Sequence, residues 1–328
     1  MRARIIRIPV TAAIALALVG VVAGCGGSGD GTGSRSKPAP PASAFPSARG
    51  KTLGQVLLQR GASQGPVVSP AIRFLHLGTN RFAFGVFTPG RQQITDAQVA
   101  LYAAPGRGVN GPAIGPFPAR IEDLTTKPSF QAKTTADDPS AAQVAYVSEI
   151  PLERPGQWEF GALIKNGGSY QYSLLPAPSP VGDYPMPRPG DQAPLIHTLT
   201  AGEVSSISQI DTRVPPDDMH SDDFANVVGK KPVVLLFATP ALCQSRVCGP
   251  VTDIAEQVKS EFGDRVSFIH QEIYKDNRIQ DGVRPQLTAY HLTTEPWCFV
   301  IDRHGRVSTV LQGPFSVQEL EAAVRRVL

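Results

Sequence analysis

The 328-residue chain is predicted to be a multidomain α+β protein, with an antiparallel β-sandwich first and an α/β domain after it. Two segments of different periodicity point to this. Residues 51–175 carry short alternating runs broken by Gly and Pro, the pattern of antiparallel strands. From about residue 205 continuous apolar runs alternate with stretches of helical spacing, the pattern of buried strands joined by helices. Between them lies PAPSPVGDYPMPRPGDQAP, residues 176–194, and 176–204 are expected to be a Pro-rich linker ahead of the α/β domain at 205–328.

The chain opens MRARIIRIPVTAAIALALVGVVAGC, with Arg2, Arg4 and Arg7 ahead of an apolar run, and residues 1–24 read as an export signal. Val22, Ala23, Gly24 and Cys25 resemble a bacterial lipobox, which implies cleavage before Cys25 and lipidation of its sulfur. The alternative is a plain anchor helix, but the apolar stretch is shorter than the ~20 residues a span requires. The protein is therefore expected on the extracytoplasmic side, held to the membrane through Cys25. Removing the three arginines from a formal net charge of +3 leaves the mature chain near neutrality, which excludes a nucleic-acid footprint. Residues 25–50, rich in Gly, Ser and Pro, are expected to be a tether.

Within 51–175 the strand-like runs are RFLHL, RFAFGVF, AQVALYA, AQVAYVS and QWEFGALI. An extended backbone puts Phe82 and Phe84 on one face, and likewise Trp158, Phe160 and Ala162. ERPGQWEFGALIKNGG weakly resembles the YtkA-like and other immunoglobulin-like β domains of exported bacterial proteins. The segment has one histidine, His76, read as a packed or surface strand residue, and no cysteine. No catalytic constellation is found there, so a binding or spacer role is expected.

In the second segment Val233–Phe237 reads as a strand buried on both faces. Val251, Ile254, Ala255, Val258 and Phe262 fall on one face of a following helix. VSFIHQEI at 266–273 is a strand, QLTAYHL a helix, and WCFVIDRHGRVSTVLQG a hairpin turning at Arg303, His304 and Gly305. Ser316 and Glu319 are spaced as a capping box for a final helix.

This order, with a cysteine loop opening the first helix and a proline before the third strand, resembles the thioredoxin-like superfamily, especially its TlpA-like exported lipoprotein branch. The resemblance covers about 120 residues. TEPWCFVIDRHGRV is similar to the family's proline strand and hairpin, which implies a cis peptide bond at Pro296 and a place for that proline over the redox cysteines.

The loop itself reads CQSRVCGPV. Two cysteines five apart within one helix cannot be bridged, so both are expected at or before the helix start. Pro250 suits the first helical position, and Cys248 just outside it would be a thiolate favoured by the helix terminus and by Arg246. Cys248, Gly249 and Pro250 match the first three residues of the thioredoxin CGPC motif, and Val251 stands in place of the second cysteine. Cys243 is then the partner. Cys298, two residues past Pro296, is either a third thiol within reach or a buried core cysteine.

Two rival chemistries use similar scaffolds. Peroxiredoxins place a threonine three residues before the reactive cysteine, whereas Pro240 and Ser245 stand there. Sco-type copper chaperones add a histidine on a later loop, where this chain has Thr294, Glu295 and Pro296, leaving His270, His291 and His304 by proximity only. Thiol–disulfide exchange with protein thiols or disulfides is the expected activity. Cys248 is expected to attack, Cys243 to resolve, Pro296 to shape the substrate edge and Arg246 to lower the thiol pKa. No cofactor and no metal site is expected. The rival is a non-catalytic binding protein stapled by a Cys243–Cys248 bridge.

Overall fold

The computed structural model describes residues 35–58, 62–176 and 180–328. The export signal and Cys25 lie outside the described residues. Among the described residues no helix is long and apolar enough to cross a membrane.

The first segment contributes α1 (Leu53–Leu57) and strands β1 (Ser63–Gln64), β2 (Val67–Pro70), β3 (Gly78–Phe87), β4 (Val99–Pro105), β5 (Ile114–Pro118) and β6 (Arg120–Asp123). After a long connection holding the one-turn helix α2 (Lys133–Ala136) come β7 (Val144–Leu152), β8 (Trp158–Asn166) and β9 (Ser169–Leu174). They form a five-stranded sheet, β1-β9-β8-β4-β5, and a four-stranded sheet, β2-β3-β7-β6. Only the short β1–β9 pairing is parallel among these strand pairs. The two-residue period turns Phe82, Phe84 and Val86 inward from β3 to meet Tyr146 of β7 and Leu101 and Phe160 of β4 and β8. The rings of Phe82 and Phe160 stand 5.1 Å apart across that core, and Trp158 and Ala162 join it as expected.

Two expectations need correction here. RFLHL forms no strand; Leu75 makes an isolated bridge to Val181. The amide of Asn80 closes a turn there, accepting from the His76 N–H and donating to the carbonyls of His76 and Gly78, so those groups are not available to a ladder. The stretch expected as a tether is joined to the sandwich from residue 35 on, the Arg35 N–H donating to Asp123 and Lys37 bridging to Ile121. Phe45 and Ala48 are buried with Leu53, Val56, Tyr102 and Leu163 against the outer face of the five-stranded sheet, under a helix whose start is fixed by the Thr52–Gln55 capping box.

The second segment comprises α3 (Phe224–Val227), β10 (Val233–Phe237), α4 (Cys248–Phe262), β11 (Ser267–Gln271), α5 (Pro285–Ala289), β12 (Trp297–Ile301), β13 (Val307–Gln312) and α6 (Val317–Arg325). The sheet order is β11-β10-β12-β13, with β10 parallel to β11 and antiparallel to β12. Alternate residues of each strand serve two cores. Val234, Leu236, Phe268, Cys298 and Val300 meet α4 and α6, while Val233, Leu235, Phe237, Ile269 and Phe299 meet Leu287 and Tyr290 at and just after α5. That continuous burial is why these strands read as unbroken apolar runs. The topology is thioredoxin-like, and the Glu295–Pro296 peptide bond before β12 is cis.

The Pro-rich stretch lies along this second core rather than away from it. Met186, Ala193 and Ile196 are buried in it, and Gly190 and Ala193 donate to the carbonyls of Val307 and Gly305 at the β12–β13 hairpin.

Glu319, in the first turn of α6, links the two segments. Its carboxylate accepts from Arg81 of β3 at 2.7 and 2.9 Å and from Arg120 of β6 at 2.7 Å. Beside it Ser316 donates to Glu122 at 2.6 Å. The β6–β7 connection also lies along α4: Gln257 accepts from the Lys127 N–H, and Asp253 accepts from the Ala132 N–H and from Arg213.

Candidate redox site

Three features of the sequence build the cysteine loop. Strand β10 delivers the chain to Thr239, Arg246 turns it with a left-handed backbone (φ 61°), and α4 begins at Cys248. The helix thus starts two residues earlier than the Pro250 expectation placed it, and Pro250 is its third residue. Cys248 sits inside the first turn and is fully buried; Cys243, ahead of the helix, is 6% exposed.

That shift of two residues changes which thiol faces the donors of the helix start. The Cys243 sulfur sits at the start of α4, where the Cys248 thiol and the backbone N–H groups of Val247 and Cys248 point to it, and Ser245 Oγ lies 3.1 Å away. The hydrogen bond from Cys248 is the largest influence, and together these donors lower the Cys243 pKa to about 6 against the opposing effect of burial. Cys248 moves the other way. Burial first, then donation to Cys243, pushes it well above the usual thiol range. The helix terminus therefore does favour a thiolate, but on Cys243 rather than Cys248.

Arg246 is not the charge that activates either thiol. Its guanidinium is largely exposed and pairs with Asp138 at 3.2 Å, and its carbonyl accepts from the Ala142 N–H, so it ties the loop to the β6–β7 connection. Cys243 and Cys248 are both free thiols, as is Cys298. Cys298 pairs with Leu236 and Leu311 in the sheet and is fully buried. Its pKa is raised by burial alone, so neither of the other sulfurs bears on it.

Two residues that sequence reasoning did not place in the site belong to it. Glu295, immediately before buried Pro296, has its pKa raised by burial and then by the Cys243 charge, and its own charge in turn raises Cys248. Tyr274 feels Glu295 and both thiols after burial. The adjacency of Glu295 to the proline was the available signal, since the resemblance already put that proline over the cysteines. Among the described residues no imidazole joins the sulfurs in the way a copper site would need. His291 and His304 are exposed, and both nitrogens of His270 are engaged by Asp217 and the Ala238 carbonyl. His76 stands edge-on to the Tyr184 ring, 5.7 Å between centroids, in the cleft between the two segments. That cleft, about 780 Å³ and lined by Phe74, Arg81, Arg120, Met186, Trp297 and Glu319 among others, contains none of the three cysteines.

No family model matches the chain, and no curated protein matches it. Among solved structures it is similar to a thiol:disulfide interchange protein of the thioredoxin family from Chlorobium tepidum TLS, at 21% identity over 44% of this chain and 99% of that one, with a TM-score of 0.30. It is also similar to a putative thiol:disulfide interchange protein DsbE from Chlorobium tepidum, at 16% identity over 43% and 98%, with a TM-score of 0.32. Scores at that level do not identify a fold. The strand order and the placement of α4, α5 and α6 are what make this half thioredoxin-like.

Proposed function

We propose that this chain is a thiol–disulfide oxidoreductase, lipid-anchored through Cys25 on the extracytoplasmic side and acting on protein thiols or disulfides. The observation that carries the reading is the asymmetry of the pair: one thiol lowered to about 6 at a helix start, the other buried and held protonated beside it. In the reductive direction the Cys243 thiolate attacks a substrate disulfide, forming a mixed disulfide and releasing one substrate thiolate, which takes a proton from solvent. Cys248 then passes its proton to the Glu295 carboxylate and attacks the Cys243 sulfur. The Cys243–Cys248 disulfide forms, the second substrate thiolate leaves, and the protein is oxidised by two electrons as the substrate is reduced. Run backwards, the same steps oxidise a substrate dithiol. Pro296 shapes the edge on which the substrate lies, and the β6–β7 connection, joined to the loop through Arg246, Asp138 and Ala142, forms part of that surface.

The test is a glutathione redox titration of the purified mature protein. A catalytic pair should titrate between about −270 and −120 mV, the range of known oxidoreductases, whereas a bridge below roughly −300 mV would mark an inert staple and a binding protein. Release of a Cys25→Ser variant from the membrane fraction tests the anchor.

A further inference from the structure

A second cluster of chemistry-bearing side chains contains none of the thiols and plays no part in the proposed exchange. The segment DTRVPPDDMH, residues 211–220, runs ahead of β10 and lies against β11, where the Met219 carbonyl accepts from the His270 N–H. It brings Asp211, Asp217 and His220 to His270. All four are buried, at 3%, 6%, 3% and 2% exposure, and one donor atom from each lies within 4.8 Å of every other.

The imidazole of His220 is the anomaly. Neither of its ring nitrogens has a hydrogen-bond partner, although the ring is almost wholly removed from water. Nε2 faces two carboxylates, 3.4 Å from Asp217 Oδ1 and 3.5 Å from Asp211 Oδ2, too poorly aligned to bond either. A buried polar group left in this way is costly, and native structures seldom keep one without a reason. We propose that Asp211, Asp217, His220 and His270 bind one divalent transition-metal ion of the zinc class.

The separations, the charge and the donor types of the cluster all suit such an ion. Metal–ligand bonds of about 2.0 to 2.1 Å in a tetrahedron place ligand atoms about 3.3 to 3.4 Å apart, close to both His220 separations. Two more of the six pairs, His270 Nδ1 at 2.7 Å from Asp217 Oδ2 and 4.0 Å from Asp211 Oδ1, straddle that value; each carboxylate turns a different oxygen to each imidazole, so closing on one ion requires small rotations of the carboxylates and of the His270 ring. Two carboxylates and two neutral imidazoles cancel the charge of a divalent ion, so the loaded site is neutral where a buried charge would be expensive. Two nitrogen and two oxygen donors suit zinc and its neighbours rather than the all-oxygen preference of magnesium or calcium.

The outer contacts are also in place. His270 Nε2 donates to the Ala238 carbonyl at 3.2 Å, which leaves Nδ1 for the ion. Asp211 is held by the N–H groups of Arg213 and Asp217, and Asp217 by that of Met219. Without the ion, a proton on His270 Nδ1 bridges to Asp217. On binding, that proton leaves to solvent and the ion takes its place. An ion at the centre gives His220 Nε2 a partner and does nothing for Nδ1. Through Ala238 the site adjoins Thr239, where the cysteine loop begins, and it pins residues 211–220 to the sheet.

The test uses the full chain, stripped with chelator and titrated with zinc alone. One zinc per chain, release of a proton on binding and a raised melting temperature of the stripped wild-type chain are expected. His220→Ala and Asp217→Asn should weaken binding by more than the roughly 10 to 100-fold typical of a second-shell change. Alkylating the three thiols should leave the stoichiometry unchanged, and cobalt in place of zinc should give tetrahedral visible bands without thiolate charge transfer. A stripped wild-type chain that retains no zinc after gel filtration, or whose melting temperature zinc does not raise, overturns the proposal. So does zinc that is lost when the thiols are alkylated.

Discussion

Gly249 and Thr135 approach so closely that a Cβ on the glycine would stand 2.8 Å from the threonine Oγ1. The contact joins the first turn of α4 to α2 in the β6–β7 connection, so the glycine of the CGP sequence has a packing reason. Gly249→Ala should cost about 1 to 3 kcal/mol, the usual penalty of overpacking. Thr135→Ala removes the obstructing oxygen and should restore most of that loss. Urea unfolding of the two single variants and the double variant checks the coupling; simple additivity would show that the contact does not govern the cost.

The thiol asymmetry predicts the order of reactivity. In the reduced protein, iodoacetamide should label Cys243 first, with a midpoint near the value of about 6 set by its donors. Cys248→Ala deletes the largest of these influences and should move the midpoint up towards the free-thiol value of ~8.5. Peptide mapping across a pH series reads both effects. Labelling that begins at Cys248 would restore the roles expected from the sequence.

Stability of the reduced protein should depend on pH through the same group. Between about 6 and the unfolded value of ~8.5 the folded chain carries a Cys243 thiolate while the unfolded chain still holds the proton. Stability therefore rises with pH across that window, by at most about 1.4 kcal/mol per unit, and the contribution is lost as pH falls through 6. Above ~8.5 the raised Cys248 acts in the opposite sense, because the unfolded chain then gives up that proton first. Denaturation of wild type and Cys243→Ser from pH 6 to 8.5 should show a widening gap, and a constant gap would contradict the thiolate assignment.

Glu295→Gln separates the proton acceptor from the nucleophile. The amide cannot take the Cys248 proton, so resolution of the mixed disulfide should slow by about 10²-fold or more, the usual range for a positioned base. Labelling of Cys243 should persist. Stopped-flow kinetics with a fluorescent disulfide substrate distinguishes the two steps, and an unchanged resolution rate would remove Glu295 from the mechanism.

What could be read from the sequence was local. Val233–Phe237 and the Ser316–Glu319 capping box appear where their patterns put them, because a two-sided buried strand and a helix cap depend on residues a few positions apart. The start of α4 lies two residues ahead of its expected place, the scale on which helix ends are least legible, and the donors of that start face Cys243 rather than Cys248. Phe45 gave one aromatic residue in a Pro-rich stretch, too little to reveal that this stretch covers a sheet. The Asp–His cluster depends on His270 meeting Asp217 across 53 positions of chain, a contact that no local pattern encodes.

Glu319 carries three duties with one carboxylate: it closes the cap of α6 and receives Arg81 and Arg120 from the other segment. Its side chain is only 13% exposed, and removing one partner from a pairing so enclosed typically costs about 3 to 5 kcal/mol. The thioredoxin-like half is for that reason not a portable module. Excised at the Pro-rich stretch, it would present an unmatched acid at the root of its last helix, so transplanting its cysteine loop into another protein would mean carrying the sandwich with it.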